Sequence, residues 1–231
     1  VSYPNALDPQ FQNQTDDFTG PIAHSVNLAL KGIIAVGAMG QVAGFAGNAA
    51  EAARYDAQAR SMIGTWASLA QNAGSTHLLM QYREAANAYS PDTTTEPDGW
   101  WSLKYNAFPD ALLGLDLIPP SVLAEEAKFY ATQETASGIP LDPRHSYTKA
   151  DWELWTATLA DTPAAFNAIV DPIYKWTNET PSRVPLTDWY DTKTGKQVGF
   201  QARSVVGGVF IKALADKSLT EKWRAKAAAH N

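Results

Sequence analysis

The stretch Ile139-Pro-Leu-Asp-Pro-Arg-His-Ser-Tyr-Thr-Lys-Ala-Asp-Trp-Glu-Leu-Trp155 decides how the middle of this 231-residue chain folds. Its two prolines stiffen the first part and disfavour helix in the residues before them. Thr148 lies three residues ahead of Asp151, the spacing of a capping box in which Asp replaces the usual Glu or Gln. Apolar residues then recur at helical intervals. The stretch is therefore predicted to be a polar loop that runs into a buried helix over 148–160.

Reactive side chains are concentrated in this loop and at the start of its helix. Asp142, Arg144, His145 and Glu153 lie within twelve residues of one another, and a helix N-terminus favours negative charge and presents free N–H groups. Simpler interpretations exist for some of them. Asp151 is interpreted first as a helix cap, and Asp142 with Arg144 as a surface ion pair of small energetic weight.

Helical periodicity recurs on both sides of this stretch. Residues 22–44 are apolar nearly all round and rich in Gly and Ala, which predicts an inner helix, whereas residues 49–71 have one polar face and predict an outer helix. The same alternation continues after an extended segment over 77–82. It predicts further helices over 100–113, 121–136, 148–160, 163–176, 204–214 and 218–229.

About eight helices in four inner–outer pairs, at intervals of roughly 50 residues, predict an all-α solenoid or closed ring of hairpins. We treat residues 1–231 as one helical domain. In a ring, the loops that enter the inner helices meet at one end of the central cavity. Those loops carry Asp16, Asp17, Trp100, Trp101, Asp142, Arg144, His145, Asp188, Tyr190 and Arg203.

Composition excludes several functional classes. With 45% hydrophobic and 18% charged residues the chain is globular, and its net charge of −6 disfavours a general nucleic-acid partner. There is no cysteine, and the four histidines are scattered without ligand spacing, so we expect no metal and no cofactor. A calcium site built from acids and carbonyls stays open. Lys31 and Gln41 interrupt the most apolar run, so no membrane span is expected.

Eight Trp, nine Tyr and eight Phe are typical of carbohydrate- and small-molecule-binding proteins, although large aromatic cores produce the same content. Trp100, Trp101 and Trp155 are candidates for a pocket wall, with core packing favoured for Trp155. Lys31 interrupts an apolar helix and needs a partner, either in a cavity or in a buried ion pair. Two sequons, at Asn13 and Asn178, are glycosylation acceptors if the protein is secreted.

Six motifs, in order across nearly the whole chain, resemble the C-terminal region of the fungal secreted glutaminase A family: Asp16-Asp-Phe-Thr-Gly20, Asn27-Leu-Ala-Leu-Lys-Gly-Ile33, Leu112-Leu-Gly-Leu115, Pro140 through Glu153, Trp176-Thr-Asn-Glu-Thr-Pro181 and Ala202-Arg-Ser-Val-Val-Gly-Gly208. The resemblance implies an α/α six-hairpin toroid and extracellular hydrolysis of glutamine to glutamate and ammonia. Members of that family are much longer, and six hairpins need about twelve helices. The resemblance therefore implies that the chain is the C-terminal part of a toroid whose N-terminal portion is its partner.

Hydrolysis of a carboxamide needs an activated water, a proton donor for the leaving ammonia and stabilisation of an oxyanion. Asp17, Asp142 and Glu153 are the acid–base candidates, and His145 is a candidate general base. Asp16 is interpreted as a turn or cap residue. Substrate binding is assigned to side chains that can hold charge or line a pocket: Arg144, Arg203, Asp188, Lys31, Trp100, Trp101 and Trp155.

Three hypotheses remain open at this point. A carboxylate pair suits glycosidic bond cleavage as well as amide hydrolysis, so the substrate is a small molecule that is either an amino acid amide or a sugar. The first hypothesis is an amidohydrolase, the second a glycoside hydrolase or sugar-binding toroid, and the third a non-catalytic helical scaffold.

Overall fold

The computed structural model describes residues 7, 9, 13, 19–71, 75–82, 100–182 and 185–229. The described residues form helices with little sheet, which confirms the all-α prediction. Their helices are α1 (Val26–Phe45), α2 (Ala49–Leu69), α3 (Phe108–Leu113), α4 (Pro120–Thr132), α5 (Ala150–Ala157), α6 (Pro163–Glu179), α7 (Ile211–Ala215) and α8 (Lys217–Ala228).

Helices α1 and α2 form the predicted hairpin. Asn48 caps α2 by accepting a hydrogen bond from the Glu51 N–H at 3.1 Å. The helices approach closely because Gly40 has no side chain. A Cβ at this position would lie only 3.1 Å from the Ala52 carbonyl oxygen. Helix α1 begins at Val26 rather than at residue 22, because the preceding residues extend alongside the 77–82 segment. That segment makes an isolated bridge and no regular strand.

Helix α1, predicted from its apolar residues to be an inner helix, has an exposed apolar face in the described part of the chain. Met39, Val42 and Phe45 are exposed, Phe45 to 89%, and Lys31 is exposed as well. Lys31 therefore does not occupy the cavity or buried ion pair that its apolar neighbours suggested, because no described residue covers this face. By length and composition α1 could cross a membrane, but its opposite face packs on α2 as in a core helix.

Local geometry shortens several of the other predicted helices. The 100–113 segment is extended at first, turns through a 3₁₀ helix (Tyr105–Ala107) and becomes α-helical as α3. Helix α4 starts at Pro120, one residue before its predicted start at residue 121. The 204–214 segment is a 3₁₀ helix over Ser204–Phe210, followed by α7. Helix α6 starts as predicted after Thr162, whose hydroxyl accepts from the Ala165 N–H at 3.2 Å.

A short antiparallel ladder interrupts the helical fold. Strand β1 (Tyr147–Lys149) pairs with β2 (Trp189–Asp191), and Thr148 lies opposite Tyr190. The capping-box prediction for Thr148 is therefore wrong, because this residue belongs to a strand and Lys149 occupies the cap position of α5. The 185–195 segment, predicted to be a loop, supplies the partner strand. The ladder delivers the chain directly into the N-terminus of α5.

Aromatic residues hold this ladder against the helices. Trp176 of α6 stacks on Tyr190 of β2 with their ring centroids 3.7 Å apart, and its indole N–H donates to the Gly195 carbonyl at 2.9 Å. Tyr105 stacks on Trp152 of α5 at 4.6 Å. Both stacks fall within the range of favourable aromatic pairs. The N-terminus of α5 is thus fixed from two sides.

Candidate functional site

Four charged side chains meet where β1 enters α5. The buried Asp188 carboxylate accepts from Lys149 Nζ at 3.3 Å and from Arg203 NH1 at 3.4 Å, both at its Oδ2 atom. Asp151 lies close enough for its charge to interact with those of Asp188 and Lys149. We call Lys149, Asp151, Asp188 and Arg203 the Asp188 cluster. Lys149 and Asp188 are almost wholly buried, whereas the Arg203 side chain is 25% exposed.

Backbone hydrogen bonds explain why these sequence-distant residues meet. The Ala150 N–H donates to the Asp188 carbonyl at 2.8 Å, which places β2 beside the start of α5. The Ala202 N–H donates to the Leu186 carbonyl at 3.0 Å, so the chain returns after β2 and presents Arg203. The cluster is therefore built from three segments.

Several polar atoms in and beside the cluster have no hydrogen-bond partner among the described residues. They are Oδ1 of Asp151, Oδ1 of Asp188, and the indole nitrogens of Trp152 and Trp155. A buried polar atom without a partner costs on the order of 1–3 kcal/mol, and most native proteins avoid it. Two acceptors and two donors on or beside α5 therefore carry this cost in the described part of the chain.

Asp151 has a perturbed acidity. Burial, together with the neighbouring Asp188 carboxylate, raises its pKa to about 7 against the opposing charge of Lys149. Such a carboxyl group exchanges its proton near neutral pH, as a general acid or base must. Asp151, interpreted from the sequence first as a cap, is therefore the best-placed acid–base group of the cluster.

The 3₁₀ helix Ser204–Phe210 closes against this part of α5 at Gly208. A Cβ built on Gly208 would lie 2.8 Å from the Asp151 Cβ and 3.3 Å from the Trp155 indole nitrogen. Real Cβ atoms essentially never approach within 3.0 Å of another heavy atom, so only glycine fits this position without displacement. Close packing against α5 therefore explains why the last residue of the Ala202–Gly208 motif is a glycine.

The loop before β1 carries a second group of the predicted residues. Arg144 binds Asp142 in a fork, with NH2 to Oδ2 at 2.7 Å and Nε to Oδ1 at 3.0 Å. Its remaining NH1 donates to the Gly20 carbonyl at 3.2 Å. His145 is exposed and stacks on Tyr147 at 4.7 Å. Arg144 and Asp142 thus tie this loop to the Gly20 segment, a role that also explains the bidentate geometry.

Glu153, predicted as an acid–base group, is fully buried in the core. It accepts from the Ile139 N–H at 2.6 Å and from the Tyr190 hydroxyl at 2.7 Å, and Gly138 contacts its carboxyl group closely. Burial raises the pKa of Glu153 to about 8. This residue joins the Gly138 turn to β2, so we interpret it as structural.

A further buried charge was not predicted. Lys104 donates to the Ser102 carbonyl at 2.8 Å and lies 3.8 Å from Glu126, and burial lowers its pKa to about 8. Glu126 in turn accepts from the Tyr130 hydroxyl at 2.5 Å and from the Leu78 N–H. We call Lys104, Glu126 and Tyr130 the Lys104 cluster.

The remaining predicted residues are distributed around these groups. Trp101 is buried and contacts Tyr130 and Phe129 in the core, and Trp100 is half-buried with its carbonyl accepting from the Met80 N–H at 3.0 Å. The two sequon asparagines, Asn13 and Asn178, are exposed. Asp16 and Asp17 lie outside the described residues. No group of three His, Asp or Glu side chains suited to a metal occurs in the described part of the chain.

The predicted loop residues that the structure describes form two separate groups, and not the single pocket mouth that was predicted. Asp142 and Arg144 meet the Gly20 segment, and Asp188 meets Arg203, with β1 between the two groups. The three residues of strand β1 span about 7 Å between the first and the last Cα atom. Lys149 was not predicted, and Asp151 was interpreted first as a cap. An aspartate in the first turn of a helix beside a second acid is the signal that could have identified Asp151 as an acid–base candidate.

A helical hairpin fold with an acidic and aromatic cluster at one helix N-terminus places this chain among the α/α hairpin proteins. Residues 3–213 match the family described as the Glutaminase A six helical-hairpin domain, and the chain belongs to that family. It is 39% identical over 211 residues to Glutaminase A of Aspergillus oryzae, covering 89% of this chain and 29% of that protein.

A second relative is a protein of Arthroderma benhamiae named "Probable glutaminase". It is 32% identical over 247 residues, which cover 94% of this chain and 27% of that protein. The chain therefore spans less than a third of the length of both relatives. A glutaminase-related function is supported by these names and by the family.

Proposed function

We propose that the protein containing this chain hydrolyses the carboxamide of L-glutamine to L-glutamate and ammonia. The observation that carries the proposal is the Asp188 cluster within a glutaminase A hairpin domain. The cluster joins a carboxyl group that titrates near neutral pH with a cation held at its edge. A carrier for the proton of the attacking water and a cation for the substrate carboxylate are two of the components that an amidohydrolase needs for an amino acid substrate.

Asp151 moves the proton in the proposed reaction. In its ionised form it takes one proton from the attacking water, whose oxygen bonds to the amide carbon. The same proton then passes to the amide nitrogen, the carbon–nitrogen bond breaks, and ammonia leaves. The products are a carboxylic acid, which ionises, and ammonia, so atoms and charge balance.

The other members of the cluster position the reacting groups. Asp188 is fixed by Lys149 and Arg203 through one oxygen, and its charge adds to burial in raising the pKa of Asp151. Arg203 is the partly exposed cation of the cluster, and its planar fork suits the substrate α-carboxylate.

The setting of the reaction is part of the same proposal. The resemblance to secreted fungal enzymes supports an extracellular location, and the exposed sequon asparagines Asn13 and Asn178 are compatible with glycosylation. We also propose that the exposed face of α1 packs against another part of the full polypeptide. Its partners are then the small-molecule substrate and the remaining toroid.

A glycoside hydrolase is the second candidate, because the paired acids Asp151 and Asp188 have different surroundings, as the acid and base of a glycosidase do. The two candidates differ in substrate. Ammonia release from L-glutamine by the intact protein supports the first. Turnover of aryl glycosides without ammonia release would replace it with the second.

The pH dependence of kcat/KM tests the role of Asp151. Since the ionised form is required, kcat/KM should rise with pH through about 7 in the wild type. Asp151→Asn should lower kcat/KM by at least about 100-fold and abolish that limb. Asp161→Asn, at an exposed position, is the matched control and should keep the wild-type profile.

A further inference from the structure

A hydroxyl group and a carboxyl group meet where β2 packs against α5. The Tyr190 hydroxyl oxygen lies 2.7 Å from Glu153 Oε2 and 2.7 Å from the Ser137 carbonyl oxygen. Glu153 Oε1 accepts from the Ile139 N–H at 2.6 Å. Glu153 and Tyr190 are completely buried, and Trp176 covers the tyrosine ring with the ring centroids 3.7 Å apart.

These two short contacts fix where the hydrogen atoms lie. Oxygen atoms 2.7 Å apart share a hydrogen atom, since this is the usual length of an O–H···O hydrogen bond. Taken alone, either contact is one in which Tyr190 donates, but its single hydrogen atom cannot serve both, and the Ser137 carbonyl has none to give. Both contacts are satisfied when Glu153 is protonated. The Tyr190 hydroxyl then donates to Ser137 and accepts from the Glu153 carboxyl group.

The surroundings of Glu153 agree with a protonated carboxyl group. Burial raises its pKa to about 8, and the charge of Asp151 acts in the same direction. The Ile139 N–H and the Tyr190 and Thr148 hydroxyls also face this carboxyl group, and they lower its pKa without outweighing burial. Burial also raises the pKa of Tyr190 well above its ordinary value, so the tyrosine keeps its own hydrogen atom.

Tyr190 connects this hydrogen bond to the Asp188 cluster. It is the middle residue of β2 and follows Asp188 by two positions. The Asp188 carbonyl accepts from the Ala150 N–H at 2.8 Å at the start of α5, and Glu153 lies about one turn further along that helix. The chain around β2 is thus attached to α5 at two points, with Asp188 at the first and Tyr190 at the second.

We infer that protonated Glu153 is a positioning residue, which holds β2 through the Tyr190 hydroxyl and thereby keeps Asp188 at the start of α5. The second attachment is lost when Glu153 ionises, because one hydrogen atom then has to serve two acceptor oxygens. Asp188 is then held less firmly beside Asp151. The effect on the reaction rests on the proposed function, whereas the proton and the attachment of β2 are measured without a substrate.

Infrared difference spectroscopy of the intact protein tests the proton. At pH 7 the spectrum of the wild type minus that of Glu153→Gln should contain the carbonyl stretch of one protonated carboxyl group. This band should disappear as the pH rises through about 8. Glu179→Gln, at an exposed position of α6, is the matched control and should give no such band. Absence of the band from the Glu153→Gln difference overturns the inference.

Amide hydrogen exchange at Ala150 tests the attachment of β2. Glu153→Gln has no proton to lose, and its amide N–H donates to the Tyr190 hydroxyl as the protonated acid does. At pH 9 Ala150 should exchange at least about 10-fold faster in the wild type than in Glu153→Gln, and at pH 7 the two should agree within about twofold. Tyr190→Phe lacks the hydroxyl and should exchange at least about 10-fold faster than the wild type at pH 7. Rates that are equal at pH 9, or unchanged in Tyr190→Phe, overturn the inference.

The pH dependence of the reaction separates this inference from the proposed function. For L-glutamine, kcat/KM of the wild type should equal that of Glu153→Gln at pH 7 and be about 10-fold lower at pH 9, a difference that a purely structural residue would not produce. If the wild type releases no ammonia, the proposed function fails, and the infrared and exchange measurements decide the inference. If the wild type is active but both proteins keep the same ratio at the two pH values, Glu153 does not position Asp188 and the proposed function stands.

Discussion

The Lys104 cluster and the Asp188 cluster both bury charges, but they differ in how completely their atoms are partnered. In the first, Glu126 is satisfied by Lys104, Tyr130 and the Leu78 N–H. In the second, Asp188 uses one oxygen for its cations and leaves the other without a partner in the described residues, as Asp151 does.

The difference separates two uses of buried charge. We call a cluster closed when all of its buried polar atoms have partners, as in the Lys104 cluster. Removing one member of a closed cluster leaves the others buried without a partner, which costs free energy. We call a cluster open when some of its buried polar atoms lack partners, as in the Asp188 cluster. The folded protein already carries this cost, which it tolerates where the unpartnered atoms bind another group. Loss of the first should therefore affect stability, and loss of the second should affect activity.

The largest effect is expected from Glu126→Ala. It leaves the Lys104 ammonium buried without its counter-charge and removes the acceptor of Tyr130, so the free energy of unfolding should fall by about 3–5 kcal/mol. Urea denaturation measures this. Glu125→Ala, at the exposed neighbouring position, should change it by less than about 0.5 kcal/mol. Equal effects of the two variants would remove the structural role of the cluster.

Asp188→Asn should act mainly on the reaction. It keeps the shape but weakens the hold on Lys149 and Arg203, and we expect kcat/KM for L-glutamine to fall about 100-fold. The loss of unfolding free energy should be smaller than for Glu126→Ala. If the variant loses stability but keeps its kcat/KM, Asp188 has a structural role like that of Glu126 and no role in the reaction.

Glu153→Gln should change the pH dependence of stability. Folded Glu153 keeps its proton up to a pKa of about 8, whereas the unfolded group ionises near 4.5. Its stabilisation is therefore fully present below pH 4.5 and is lost as pH rises to about 8, by up to about 1.4 kcal/mol per pH unit. The variant should lack this slope when unfolding is measured from pH 4 to 9. Parallel curves for the two proteins would contradict the prediction.

The smallest effect is expected from Arg203→Lys. The side chain is 25% exposed and its contact with Asp188 is long, at 3.4 Å, so the unfolding free energy should change by less than about 0.5 kcal/mol. If Arg203 holds the substrate carboxylate as a fork, KM should rise about 10-fold while kcat changes little. An unchanged KM would exclude Arg203 from binding.

Periodicity alone predicted the helices that are decided locally. The hairpin of α1 and α2 and the start of α6 after Thr162 follow from spacing and capping residues within one or two turns. Thr148 shows where this information ends. Its pattern indicated a cap, but a strand some 40 residues away pairs with it, and no local pattern reports such a partner.

The site was predicted in the same uneven way. The residues Asp188 and Arg203 were selected by type, and the structure joins them. Lys149 was passed over because a lysine before a helix usually lies in solvent, and its burial depends on Asp188 arriving from β2. Glu153 has the right chemistry for an acid–base role, but its position inside the core is set by Gly138 and Tyr190.

The ladder of β1 and β2 also constrains the order in which the molecule assembles. Its paired residues are about 40 positions apart, and α6 lies between them. Closing so long a segment costs entropy before any pairing repays it. During synthesis the nascent chain must emerge beyond Arg203 before Lys149, Asp188 and Arg203 can meet, so the Asp188 cluster is completed only late in the translation of this region.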